Sequence, residues 1–454
     1  MPATSISDQQ RFDPSSVKSF QFTYRQLEAD GTIRLGYALD DIDFEEVIRI
    51  PAPNRHNEAA DRLLDLLHWT AGISYYKAAA PDRLVCETGA PPAAAGDLLT
   101  ALYSEGLGEF AVVNGLPHLP HPQFLRADPD AVLDRRDDPG SLRRLLVPVG
   151  GGKDSAVAIE IARTSGLETT LFSVGDATPI RATAEVARLP RHLATRTLDQ
   201  TLLELNRAGA RNGHVPVTAI ISAIALLVAD TQGLDAVLLA NERSASAGSL
   251  FWNGIEVNHQ FAKSRQAERL LAAAVAEIPG APRIFSILRP ASELAIARAF
   301  AGKLTAYHSS FTSCNTVFRL DPATRNRSWC CNCDKCRFVY LILAPFMPPE
   351  QLISIFGKDL LDDPSQYDGF ARLTATGGSK PFECVGEVDD SLAAIYLLAA
   401  APQWRDRTVV RRLAEVVLGE KPFSQERVDA QFEFDDDHDI PEMLMPAVHE
   451  VLGT

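Results

Sequence analysis

The sequence predicts an α/β protein built on a doubly wound, mainly parallel sheet. Three observations predict it. The segments LLVPV (145–149), ETTLFSVGD (168–176) and LDAVLLANE (234–242) are near-continuous apolar runs, the pattern of strands buried on both faces. Helical stretches separate them, KDSAVAIEIARTSG after the first and GHVPVTAIISAIALLVADTQG before the third, as in a sheet covered on both sides. Glycines punctuate the turns: three stand at 150–152 and one closes the long apolar helix at Gly233.

Residues 1–140 read as an α+β domain, with the strand-like runs SFQFTYRQL and FEEVIRI and a helix over AADRLLDLLHWTAGISYYKAAA. The charged segment from Arg126 to Arg144, with Pro and Gly, reads as a surface connection. Residues 141–345 form the α/β domain and carry a cysteine cluster; RFVYLILAPFM (337–347), after that cluster, and SLAAIYLLAAA (391–401) read as helices, and residues 346–454 as a mainly helical region. The acidic run Phe432–Asp439 reads as a solvated loop, with a cation site as the alternative.

Composition limits the function. A net charge of −15 repels a polyphosphate unless basic residues are segregated, so a nucleic-acid partner is disfavoured. The amino terminus has no export-signal pattern, and the longest apolar stretch, Val215–Asp230, is too short to span a bilayer. A cytoplasmic protein without a membrane partner is expected; oligomeric state is not legible. Of seven cysteines, five lie between Cys314 and Cys336, which points to metal ligands more than to disulfides.

The glycines at the end of the first buried strand suit an anion. Gly150, Gly151 and Gly152 let backbone amides approach an oxyanion, and the following helix presents unpaired amides and the positive end of its dipole. Lys153 adds a cation, Asp154 a hard ligand for Mg²⁺ and Ser155 a hydroxyl. The spacing is not that of a Walker A loop. In the cysteine cluster, Cys330, Cys333 and Cys336 give C-x2-C-x2-C, and Cys314 completes four thiolates for a structural Zn²⁺. Cys331 is spare, or replaces Cys330.

GGGKDS resembles the PP-loop of the ATP pyrophosphatases, with Gly150 standing where that family has its first serine. The resemblance implies a sheet of PP-loop (HUP-like) type and ATP cleavage between the α- and β-phosphates, with AMP passed to a substrate oxygen. The cysteine cluster resembles the zinc site of the PP-loop enzymes that make 7-cyano-7-deazaguanine. VPVGGGKDSAVAIE, LLANERSASAGSLFWNGIEVNHQFAKS, SWCCNCDKCRFVYLILAPFM and SKPFECVGEVDDS together resemble the MurL family of UDP-N-acetylmuramoyl-L-alanyl-L-glutamate epimerases. That resemblance implies ATP- and Mg²⁺-dependent inversion of the terminal L-glutamate of a UDP-linked muramoyl dipeptide, in peptidoglycan precursor synthesis.

Adenylation makes such an inversion intelligible. A free carboxylate resists a second negative charge at the α-carbon, whereas an acyl-adenylate behaves as an activated ester whose enolate nearby donors stabilise. Candidates for proton transfer are Glu242, at the end of a buried strand, His259, Lys263 and, as a thiolate base, Cys384; Arg243 is a candidate for the substrate's diphosphate or carboxylates. The loop and cysteine cluster alone do not separate this reading from a PP-loop enzyme that amidates a carboxylate or modifies a nucleobase or tRNA, or from a nucleotide sensor without turnover.

Overall fold

The computed structural model describes residues 11–127, 142–248, 250–318, 324–376 and 380–453. Most of the expected connection, residues 128–141, lies outside them. Eleven strands are present among the described residues: β1 (Ser19–Leu27), β2 (Thr32–Leu39), β3 (Ile42–Arg49), β4 (Arg83–Cys86), β5 (Arg144–Pro148), β6 (Glu168–Val174), β7 (Arg191–Thr197), β8 (Ala236–Glu242), β9 (Leu250–Trp252), β10 (Ile255–Val257) and β11 (Arg283–Leu288). Nine form one mostly parallel sheet in the order β11-β8-β5-β6-β7-β3-β2-β1-β4; β9 and β10 form a separate hairpin.

The five strands β11, β8, β5, β6 and β7 run parallel to one another. From β5 the chain winds outward through β6 and β7, then returns to β8 and β11 on the other side. The order reverses between β5 and β8, and in open α/β sheets the crevice for ligands forms at such a reversal, outside the carboxyl ends of the strands.

The amino-terminal strands extend this same sheet. β3 pairs antiparallel with β7 from Val47↔Thr197 to Arg49↔Thr195. The seam carries a buried ion pair in which Arg196 donates to both oxygens of Glu46, at 2.7 and 3.0 Å, and to Ser74 Oγ at 2.8 Å. A bidentate guanidinium pair of this kind fixes register as well as charge.

Each face of the sheet has its own core. On one face lie the helices Lys153–Thr164 and Glu293–Lys303, with the carboxy-terminal helices Asp334–Leu343 and Val388–Ala400. On the other lie Glu58–Ala71, Ala93–Ser104, the apolar helix Val217–Gln232 and Arg265–Ala276. The helix Val217–Gln232 ends as its sequence implies, with Gly233 at φ 74°. The acidic run is not a free loop: Asp439 and Asp437 pair with Arg265, with Arg265 Nε 3.1 Å from Asp437 Oδ1, and Asp437 also takes Arg269, tying the tail to the helix Arg265–Ala276.

Candidate active site

Three strand ends build the site. The turn after β5 begins with Gly150, whose N–H donates to Ser155 Oγ at 2.9 Å. Gly151 has φ 82°, and a Cβ there would lie 2.6 Å from the Pro179 carbonyl carbon, so only glycine fits. At Gly150 the nearest atom to an added Cβ is Ser155 Oγ at 3.6 Å; the absence of a serine there is not forced by packing. Gly152 caps the helix Lys153–Thr164 without a side-chain capping bond, leaving first-turn amides for a ligand. Beside it, the buried Ser313 Oγ has no hydrogen-bond partner among the described residues. A Cβ on Gly152 would stand 3.9 Å from that oxygen. The turn is held from behind by Thr312 N donating to Gly151 O at 2.9 Å. Bare amides beside an orphaned buried hydroxyl fit a phosphate.

Lys153 does not reach outward. Its side chain is 1% exposed and Nζ bonds both Asp154 and Glu293. Burial opposes its charge, but Asp154 and Glu293 hold it protonated. Glu293 opens the helix that follows β11, capped by Ser292. Burial favours the neutral form of Asp154 as well, yet Lys153 and Lys335 keep its carboxyl below the usual range. Asp154 is the partly exposed member of this group, at 29%. An ionised carboxylate at the mouth of a glycine turn fits a hard divalent cation.

Glu242 ends β8 and is 5% exposed. Its Oε2 accepts from Ala245 N at 2.8 Å. Burial, followed by the charge of Glu293, pushes its carboxyl up to about 7. Asp390 is fully buried between these strand ends, accepting from Ser244 Oγ at 2.8 Å, Glu387 N at 2.9 Å and Leu294 N at 3.1 Å; burial and Glu293 raise it to about 6. A carboxyl raised in the folded state adds stability below its ordinary value and loses it as pH rises through the folded value. For Glu242 that window runs from 4.5 to about 7. Glu242→Gln is therefore expected to gain on the wild type in melting temperature between pH 5 and pH 8, read by thermal unfolding at both.

Lys263 connects this group to a thiol. Its Nζ lies 3.7 Å from Cys384 Sγ. Its charge is favoured first by Cys384 and then, against burial, by Glu242, Asp154 and Glu293. Cys384 is partly exposed; burial disfavours its thiolate, but Lys263, a hydrogen bond from His259 and the charge of Lys335 bring it down to about 6. His259 also hydrogen-bonds Glu109 through Nδ1. Burial opposes its charge, and the bonds to Cys384 and Glu109 overcome this, raising it to about 9. His214 packs against His259 with ring centroids 4.5 Å apart and planes tilted by 43°; burial and His259 lower it to about 4. The ligand atoms of Glu109, His214 and His259 lie within 4.8 Å of one another, with His259 Nδ1 bonded directly to Glu109.

Thus the structure brings Asp154, Glu242, Lys263, Cys384 and His259 to one region. Arg243, next to Glu242, is half-buried, with its N–H donating to Ala291 O at 3.1 Å and its Nη1 3.4 Å from Glu433 O. Sequence reasoning missed Glu293, Asp390, Lys335, Glu109 and His214. Glu293 carried a usable signal, a charged residue behind a Ser cap just after the apolar run RIFSIL. The others carried none.

The cysteines form a second centre. The Sγ atoms of Cys314, Cys330, Cys333 and Cys336 lie within 4.8 Å of one another. Cys314–Cys333 is 4.0 Å and Cys330–Cys336 is 3.7 Å, close to the sulfur separation of about 3.8 Å that four Zn–S bonds of about 2.3 Å impose in a tetrahedron. Backbone amides of Asn332 and Cys336 donate to Cys330 and Cys333 at 3.4 Å. This set could bind zinc. Cys331 is not in it: its backbone turns left-handed (φ 57°) and its thiol donates to Phe356 O at 3.2 Å. The cluster holds Ser313, next to Cys314, and Lys335, inside the cysteine motif, toward the glycine turn.

No helix among the described residues is long and apolar enough to cross a membrane. Two family models match the chain: the MurL N-terminal domain over residues 11–287 and the MurL C-terminal domain over residues 310–427. The chain is 46% identical over 416 residues to the UDP-N-acetyl-alpha-D-muramoyl-L-alanyl-L-glutamate epimerase of a Micromonospora strain, covering 88% of this chain and 91% of that protein. It is 44% identical to the epimerase of the same name from Salinispora tropica, over 90% and 89%. The protein of that name from Xanthomonas oryzae pv. oryzae is 39% identical, over 96% and 98%. No solved structure matches. The chain belongs to the MurL family.

Proposed function

We propose that this protein is an ATP-dependent epimerase that inverts the terminal L-glutamate of UDP-N-acetylmuramoyl-L-alanyl-L-glutamate, releasing AMP and pyrophosphate, in the assembly of peptidoglycan precursors. The names of its relatives support the epimerisation and its substrate. One observation supports the mechanism: a glycine turn followed by a helix N-terminus stands at the sheet's reversal point, and Lys263 lies between its carboxylates and Cys384. In this reading the turn at 150–152, the first amides of the helix and Ser313 hold the phosphates that leave as pyrophosphate. Asp154 holds Mg²⁺, whose chemistry is to neutralise charge developing on those phosphates.

The substrate's terminal α-carboxylate attacks the α-phosphorus, and the bond to the β-phosphate breaks. The resulting acyl group no longer carries the charge that opposed loss of the α-proton. Lys263 stands where its ammonium can stabilise the enolate. Glu242, near neutrality at about 7, is matched to accept a proton at physiological pH, and His259, raised to about 9, to deliver one; Cys384 is the remaining member. The amino-terminal residues share in the site through Glu109, and we assign them to enclosing the UDP-linked substrate.

Incubation with Mg-ATP and UDP-N-acetylmuramoyl-L-alanyl-L-glutamate tests this by following AMP, pyrophosphate and the configuration of glutamate after hydrolysis. D-Glutamate in step with AMP is expected. AMP formed only when ammonia or tRNA is added would establish the amidating or nucleobase-modifying alternative, and nucleotide binding without AMP the sensor. The four-cysteine set we assign to a structural zinc, which with no open coordination position holds the fold rather than activating water. About one zinc per chain is expected by elemental analysis, lost in Cys333→Ser and retained in Cys331→Ser; loss in the Cys331 variant alone would reverse the ligand assignment.

A further inference from the structure

The surroundings of Cys384 are those of a nucleophile. Lys263 Nζ is 3.7 Å from its sulfur, His259 hydrogen-bonds it, and Glu109 in turn bonds His259 Nδ1. A nucleophile within reach of a base that a third group orients is the arrangement of covalent acyl transfer. The other charged groups facing it are Lys335, which adds to the cationic environment, and Glu383, itself raised to about 7 by burial and by Cys384. Cys384 is partly exposed, so an acyl group can reach it.

The geometry points to a covalent step: Cys384 takes the activated acyl group from AMP as a thioester, and inversion occurs on that thioester. This rests on the adenylation reading above. The sulfur adds to the acyl carbon, the carbon–oxygen bond to AMP breaks, and AMP leaves with the electron pair; the thiol proton resides on His259, which passes it to the departing AMP phosphate. Sulfur donates its lone pair to a carbonyl less effectively than oxygen, so the α-hydrogen of the thioester is readily lost. A base removes it, and it returns on the opposite face. Water then adds to the carbonyl as the neutral His259 takes its proton, and the carbon–sulfur bond breaks to restore the thiolate beside Lys263. No oxidant or reductant is consumed. The covalent link keeps the substrate in place while its α-carbon is planar. Glu109 is a positioning residue here, acting through His259.

The test uses the full-length protein with Mg-ATP and the UDP-linked dipeptide. Acid quench during turnover is expected to leave the substrate acyl mass on the peptide bearing Cys384, released as a hydroxamate by hydroxylamine. Cys384→Ala is expected to give a pyrophosphate burst of one per chain with no adduct, and AMP release slowed on the order of 10²-fold; the burst itself shows that the variant is folded. Glu109→Gln is expected to retain the burst and slow AMP release, a split that a merely structural role would not produce. If Cys384→Ala releases AMP at the wild-type rate while failing to invert glutamate, the thiol is a base and the thioester is overturned. Wild-type turnover with AMP and D-glutamate but no adduct, together with unslowed AMP release in Cys384→Ala, overturns it too. Absence of pyrophosphate from the wild type removes adenylation and the thioester with it.

Discussion

Asp154→Asn is expected to lose pyrophosphate and AMP formation by on the order of 10³-fold with little change in folding. Lys153, buried at 1%, keeps its pair with Glu293 in this variant, so no buried charge is left uncompensated. The amide side chain preserves shape and can still accept from Lys153. What disappears is a carboxylate that Lys153 and Lys335 keep ionised against burial at the mouth of the glycine turn. A neutral amide is a poor ligand for Mg²⁺, and negative charge gathering on the departing pyrophosphate would go unneutralised. The measurement is pyrophosphate release as Mg²⁺ is raised, with thermal unfolding as the control. Near-wild-type release at ordinary Mg²⁺ would remove Asp154 from metal binding.

The glycine turn is legible as a strand-to-helix junction because its residues are local: three glycines, a lysine, an aspartate and a serine occupy six consecutive positions after an apolar strand. The cysteine set was readable for the same reason, though the choice between Cys330 and Cys331 needed the left-handed backbone at Cys331 that turns its sulfur away. Other features depend on pairs that no window of sequence contains. Lys153 and Glu293 are 140 residues apart, and His259 and Glu109 are 150 apart. Lys153 looked like a cation for a ligand; its engagement by Glu293 was invisible until β5, β8 and β11 were placed side by side. The pairing of β3 with β7 was equally hidden, since alternation predicts a strand but not its neighbour. Arg243, a candidate from its place after a buried strand, makes a long contact with the carboxy-terminal segment, Nη1 to Glu433 O at 3.4 Å.

Arg289→Met is expected to destabilise the protein by about 3–5 kcal/mol, the cost of stranding one member of a buried ion pair. Arg289 and Glu268 are each 2% exposed at the side chain, and the guanidinium reaches Glu268 Oε2 at 2.6 and 3.1 Å. Its remaining donors go to the backbone carbonyls of Glu242, at 2.6 Å, and Lys263, at 2.7 Å. The side chain therefore ties together the two segments that present those residues to the site. Methionine fills much of the volume but leaves Glu268 with Arg265 at 3.4 Å and Ser286 N at 3.3 Å as partners, and leaves two buried carbonyls without that donor. Turnover should fall with stability, because Glu242 and Lys263 lose their common brace. Denaturant unfolding reads the first effect. The double variant Arg289→Met with Glu268→Leu separates its causes: if the stranded charge dominates, removing Glu268 recovers most of the lost stability while turnover stays low. A single variant within about 1 kcal/mol of the wild type would mean that the pair is dispensable and that something else sets the position of Glu242 and Lys263.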